Sequence, residues 1–142
     1  MHATLQRLFI LALSVPLLSG CGPTGPERAE VSGTVTFNGQ PVEQGAISFF
    51  PAPGVIGPEA GAEIKDGKYF IPRKTGPVVG KNRVELRSFQ KSGRKIQDPT
   101  APQGTLADEI TNIFPAEYAS QSTLVREVQS GKNVIEFQIE SK

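Results

Sequence analysis

The sequence has few of the side chains that usually build catalytic centres. Of its 142 residues, one is His, one is Cys and none is Trp. They are His2 and Cys21, so residues 22–142 contain neither an imidazole nor a thiol. This excludes His-containing catalytic triads, thiol nucleophiles, zinc sites built on His or Cys, and an internal disulfide from that part of the chain. No metal site and no cofactor is predicted.

An excess of charge of either sign is also missing. The chain carries 15 Lys and Arg against 14 Asp and Glu. Recognition of nucleic acid through a basic face needs a positive excess, so no nucleic-acid partner is expected. The length is typical of a single domain.

The amino end is organised like an export signal. Arg7 precedes an apolar run, Leu8–Leu18, that is too short to cross a bilayer. The next segment, Leu18-Ser19-Gly20-Cys21, resembles the lipobox of bacterial lipoproteins: a large apolar residue and two small ones before a cysteine. The alternative for Cys21 is an ordinary small buried apolar residue. The resemblance implies that residues 1–20 are a cleaved signal peptide and that Cys21 is lipidated.

The same resemblance implies where the mature protein is located. Two or more acyl chains on Cys21 hold a protein stably at a membrane, facing the periplasm or the exterior. Residues 21–30, rich in Gly and Pro, are expected to form a flexible tether. Gly22 stands where some lipoproteins carry an aspartate for inner-membrane retention, so that signal is missing. Because this sorting rule does not hold in every organism, the cell membrane and the outer membrane both stay open.

From Val31 onward, apolar and polar residues alternate with the period of a half-buried strand. Asn38-Gly39 and Asp66-Gly67 are strong signals for tight hairpin turns. The pattern predicts an all-β domain over residues 31–142, a seven-stranded antiparallel β-sandwich. The predicted strands cover residues 31–37, 45–50, 62–65, 68–71, 83–88, 123–128 and 135–140.

The segment 90–122 interrupts this pattern. It is too long for a structureless loop, so we expect an exposed loop at 90–104 and a one-turn helix or packed segment within 108–119. Apolar anchors for this part are expected at Ile110, Ile113, Phe114 and Tyr118. The aromatic residues expected in or beside the core are Phe49, Tyr69, Phe70 and Phe137.

Several of these segments resemble carboxypeptidase regulatory-like, transthyretin-like β-sandwich domains. They are Val31–Val42, Gly45–Phe49, Asp66–Tyr69 and Gly80–Leu86. With Phe114–Tyr118 and the final strand, the chain also resembles small lipoproteins of planctomycete-type bacteria. The resemblance implies a transthyretin-like (Ig-like) fold and, because this module performs no chemistry in its namesakes, a protein that is not an enzyme.

Carboxylates are the remaining candidates for chemistry. Glu59, Glu63 and Asp66, or the adjacent pair Asp108-Glu109, would act as acid and base in a hydrolase if two of them shared one cleft. The alternative is a solvated face and a turn aspartate. Asp98, Asp108 and Glu109 could also ligate calcium, although the spacing of a calcium loop is missing.

A small basic cluster, Lys91, Arg94 and Lys95, surrounds Gly93. It is read as an exposed loop tip, with contact to anionic lipid or polysaccharide as the alternative. The sequence as a whole favours a membrane-anchored, extracytoplasmic β-sandwich that serves as a binding or structural module of the cell envelope. Its partner would be an envelope protein or a glycan, with carbohydrate or calcium binding or a hydrolase as the alternatives. The oligomeric state stays open.

Overall fold

The computed structural model describes residues 25–141. The predicted signal peptide, the lipobox residues Leu18, Ser19 and Gly20, and Cys21 lie outside the described residues. The described chain is all-β, with eleven strands and two short 3-10 turns, Arg73–Thr75 and Ala116–Tyr118. The strands are β1 (Glu30–Phe37), β2 (Gln40–Pro41), β3 (Gln44–Pro51), β4 (Ala60–Lys65), β5 (Lys68–Ile71), β6 (Gly80–Arg87), β7 (Phe89–Gln97), β8 (Leu106–Asn112), β9 (Val125–Val128), β10 (Lys132–Val134) and β11 (Phe137–Ile139). Over residues 25–141, no helix is long and apolar enough to cross a membrane.

Nine of the eleven strands form one curled sheet. Its order is β10-β1-β5-β4-β3-β6-β9, and β2 and β11 also pair with β1. The β4–β5 ladder consists of the pair Lys65 and Lys68, next to the Asp66-Gly67 turn. Side chains from both halves of the sheet, on β1, β5 and β11 and on β3, β4 and β6, pack together in one hydrophobic core.

The period of two in the sequence correctly identified the buried face of the central strands. Val31 and Val35 in β1 and Val84 and Leu86 in β6 are fully buried. Phe49, Tyr69 and Phe137 are core residues, as predicted. The prediction for Phe70 was wrong, because Phe70 lies between the inward-facing residues of β5 and its side chain is 55% exposed.

Both predicted hairpin turns are present. Asn38 and Gly39 have φ of 50° and 78°, and Asp66 and Gly67 have φ of 49° and 73°. Positive φ at both central residues is the geometry of the two-residue turn whose twist matches that of the flanking strands. These turns fix the registers of β1 with β2 and of β4 with β5.

The carboxyl end departs from the predicted antiparallel sandwich, because β10 and β11 both pair with β1 in parallel. The chain crosses from one to the other at Ile135, whose N–H donates to the Ser32 carbonyl oxygen at 2.8 Å. The hydroxyl of Tyr69 donates to the Ile135 carbonyl oxygen at 2.7 Å. A Cβ on Gly33 would lie 1.9 Å from that same oxygen, so the crossing requires a glycine beneath it.

The exposed loop predicted at 90–104 is instead part of a β-hairpin, formed by β7 and β8. Neither strand packs against the core, so the alternation that marks a half-buried strand is absent. The 3-10 turn Ala116–Tyr118 confirms the short helix predicted within 108–119. Phe114 is buried and Ile113 and Tyr118 pack against the core, but Ile110 lies on β8 and is 54% exposed.

Part of the predicted tether belongs to the folded domain. Ala29 is fully buried and its N–H donates to the Pro77 carbonyl oxygen at 3.0 Å. Arg28 forms a β-bridge with Val78, and β1 begins at Glu30. The backbone partners of Arg28 and Ala29 are Val78 and Pro77, which lie about 50 residues further along the chain and could not be identified from the local sequence.

Candidate interaction surface on the β7–β8 hairpin

The β7–β8 hairpin is a two-stranded arm attached to the main sheet at its base. Its strands pair with each other, from Phe89 opposite Asn112 to Gln97 opposite Leu106. At the base, the Ser88 N–H donates to Asn112 Oδ1 at 2.9 Å, and the Ser88 hydroxyl donates to the Gln44 carbonyl oxygen at 2.6 Å. The base of the arm is therefore held in a defined position.

The arm exposes an unusual amount of apolar surface. Four of the eight exposed large hydrophobic residues in the described chain lie on it. Residues opposite each other in a ladder share a face, so Phe89, Leu106 and Ile110 lie on one face of the hairpin. These side chains are 64%, 61% and 54% exposed. Ile96 lies on the other face and is 43% exposed.

The charged side chains on the apolar face are ion-paired, with two lysines sharing one aspartate. The ammonium groups of Lys91 and Lys95 each lie 2.6 Å from a carboxylate oxygen of Asp108. Hydrogen bonds from the two lysines lower the pKa of Asp108 to about 2. The hydrogen bond to Asp108 in turn raises the pKa of Lys91.

The charges on the opposite face are matched in the same way. The Arg94 guanidinium donates two hydrogen bonds of 2.8 Å to the Glu109 carboxylate, and the Ser92 hydroxyl donates a third at 2.6 Å. The contact with Arg94, followed by that with Ser92, lowers the pKa of Glu109. In the turn, Asp98 accepts hydrogen bonds from the N–H and the hydroxyl of Thr100 at 2.8 and 2.7 Å.

This arrangement changes the interpretation of two sequence predictions. Asp108 and Glu109 are neighbours in a strand, so they point to opposite faces and do not act as a pair. With Asp98 in the turn, the three carboxylates form no calcium site, and no group of three metal-ligating side chains occurs in residues 25–141. The basic cluster Lys91, Arg94 and Lys95 is used in ion pairs within the hairpin.

The other candidate carboxylates are spread along β4. Glu59 precedes the strand and Asp66 follows it, so about 23 Å of extended chain separates them. Glu63 lies between them, ion-paired with Lys65 at 2.9 Å, and lines the open cleft beside β5. Asp66 borders a different hollow, next to Glu43. The structure does not bring these three predicted residues together in one cleft.

A buried carboxylate that the sequence prediction missed lies on the outer face of β6. The side chain of Glu85 is 7% exposed and accepts hydrogen bonds from Arg83 at 2.5 Å and Arg87 at 2.8 Å. Burial by itself would raise the pKa of Glu85, but the two arginines outweigh burial and lower it. In the sequence, the alternation of Arg83, Glu85 and Arg87 was the feature that could have predicted this cluster. Both arginines are ion-paired with Glu85.

The hairpin lies at the end of the sheet opposite to the one where the described chain begins. β6 starts at Gly80, next to Val78 and its bridge to Arg28, and ends at Arg87, one residue before the hairpin base. An eight-residue strand spans about 23 Å. The amino-terminal segment and the hairpin are therefore separated by the length of the domain.

No protein-family model matches this chain, and no curated protein and no solved structure matches it. The function is therefore inferred from the chain's own residues and their arrangement.

Proposed function

We propose that this protein is a membrane-anchored, extracytoplasmic lipoprotein whose β-sandwich, of transthyretin-like type, is a non-enzymatic binding module. The lipobox-like segment ending at Cys21 supports the anchor. Support for the sandwich comes from the curled sheet, whose two halves enclose one core. The separation of Glu59, Glu63 and Asp66 leaves the hydrolase alternative without a specific observation in its favour.

The observation that carries the binding role is the apolar face of the β7–β8 hairpin. Exposed apolar patches of this kind are typical of protein–protein contact sites. Because the charged groups of the hairpin are satisfied internally, the patch offers mainly apolar side chains and strand edges to a partner. We therefore favour an envelope protein over a glycan as the partner.

Photo-crosslinking in the native cell tests this role. A photoreactive amino acid is placed at Leu106 or Ile110 in the full chain, with Val125, 44% exposed on β9, as the control position. The expected result is a crosslink to one protein from Leu106 and Ile110 that is absent from Val125. Equal crosslinking from all three positions, or none above background, contradicts a docking role for the hairpin.

The anchor has its own test. The variant Cys21→Ser is expected to stay unprocessed or to leave the membrane fraction as a soluble form, since it lacks the thiol that carries the lipid. Membrane retention of a processed Cys21→Ser chain would show that the lipid on Cys21 is not what holds the protein.

A further inference from the structure

The loop between β3 and β4 is a second apolar feature, located far from the hairpin. Residues 52–58, here named the Ile56 loop, contain no charged side chain. Ile56 is 88% exposed, the highest value among the exposed large hydrophobic residues described. Hydrogen bonds of 2.9 Å from the Ala52 N–H to the Lys81 carbonyl oxygen and from the Val55 N–H to the Ala52 carbonyl oxygen hold the loop in shape.

The Ile56 loop lies beside the point where the described chain begins. A Cβ on Gly57 would lie 3.3 Å from Pro26 Cγ and 2.3 Å from Val78 Cγ2, so the loop packs directly on this segment. Three residues lie between Cys21 and Gly25, so the two Cα atoms are at most about 14 Å apart in extended chain. A lipid on Cys21 would therefore keep the Ile56 loop near the membrane surface.

Two basic side chains also border the amino-terminal segment. Arg73 and Lys74 line a hollow of about 590 Å³ together with residues 25–28. Arg73 Nε donates to the Arg28 carbonyl oxygen at 3.1 Å, and its guanidinium lies 3.6 Å from Glu27. Lys74 is exposed and forms no ion pair with any described residue. This end of the domain thus combines an apolar tip with a free cation.

We propose that this end of the domain contacts the lipid bilayer, with Ile56 inserted at the acyl boundary and Lys74 beside anionic headgroups. The inference rests on the proposed lipid anchor and adds an orientation to it. Apolar side chains next to basic ones favour the interface of membranes that contain anionic lipid. In this orientation the β7–β8 hairpin points away from the bilayer, because it lies at the opposite end of β6.

The test uses the lipidated full chain in vesicles of phosphatidylcholine, with or without phosphatidylglycerol. The lipid blocks Cys21, the only cysteine, so Pro58→Cys next to Ile56 can be labelled alone with an environment-sensitive fluorophore. Gln103→Cys, at the hairpin turn, is the control. The emission at position 58 is expected to shift to shorter wavelength on vesicles, and that at position 103 to stay as in water.

Matched charge reversals test the headgroup contact. Lys74→Glu is expected to reduce the shift at position 58 on anionic vesicles, whereas Lys68→Glu, an exposed lysine on β5, leaves it unchanged. The reduction should disappear at 1 M salt, where the Debye length falls to about 3 Å. Ile56→Ser should reduce the shift on both kinds of vesicle.

The outcomes separate this inference from the anchor. A protein that floats with the vesicles but shows no shift at position 58 retains the anchor and contradicts the bilayer contact. Equal effects of Lys74→Glu and Lys68→Glu would contradict the headgroup contact. A lipidated chain that fails to float with the vesicles contradicts the anchor itself, and the bilayer contact with it.

Discussion

A methyl group added at Gly33 would meet the backbone of the carboxyl-terminal segment. The new Cβ would lie 1.9 Å from the Ile135 carbonyl oxygen, so that oxygen would have to move by more than 1 Å. Ile135 is held by its hydrogen bonds to Ser32 and Tyr69, which this movement would weaken or break. Each of the two bonds contributes roughly 0.5–1.5 kcal/mol and overpacking costs roughly 1–3 kcal/mol, so Gly33→Ala should destabilise the protein by about 2–6 kcal/mol.

Urea unfolding followed by circular dichroism measures this effect. With a slope of about 2 kcal/mol per molar, the midpoint should fall by roughly 1–3 M. Gly25→Ala is the matched control, because a Cβ there meets nothing within 4 Å, and its stability should stay within about 0.5 kcal/mol of wild type. A Gly33→Ala protein as stable as the control would refute the path of the chain over Gly33.

Two predictions concern the charged clusters. Glu85→Gln removes the charge held by two arginines and should cost about 1–3 kcal/mol in urea unfolding. Glu63→Gln breaks an exposed pair with Lys65 and should change stability by less than about 1 kcal/mol; equal losses would contradict the structural role of Glu85. Because the folded-state pKa of Asp108 is lowered to about 2, its stabilisation of the hairpin is complete above the unfolded value of about 3.9 and disappears as the pH falls through 2. An NMR titration of the Asp108 carboxyl should show this low midpoint, and a midpoint near 4 would exclude the lysine clamp.

The proposals give the two ends of the domain different roles. The amino-terminal end would contact the membrane through Ile56 and Lys74, and the β7–β8 hairpin would meet a protein partner. The sheet between them is held together by one hydrophobic core. A spacer of this kind would present the hairpin about 23 Å from the lipid-facing end.

The sequence by itself determined the strands that have one buried face. In β1, β3, β5 and β6 the inward-facing side chains recur at every second position, so their period of two is visible in any short window. Asn38-Gly39 and Asp66-Gly67 carry their own turn geometry, which is also local. The predictions of an export signal and of a lipobox-like segment also rest on residue order alone.

Only the tertiary structure decided how distant segments meet. The parallel pairing of β10 and β11 with β1 depends on a crossing over Gly33 that involves residues about 100 positions apart. The β7–β8 hairpin has no buried face, so its sequence shows no alternation, and its strand geometry sends Asp108 and Glu109 to opposite faces. Which carboxylates pair with lysine or arginine, and which apolar side chains stay exposed, follows from this geometry and not from spacing along the chain.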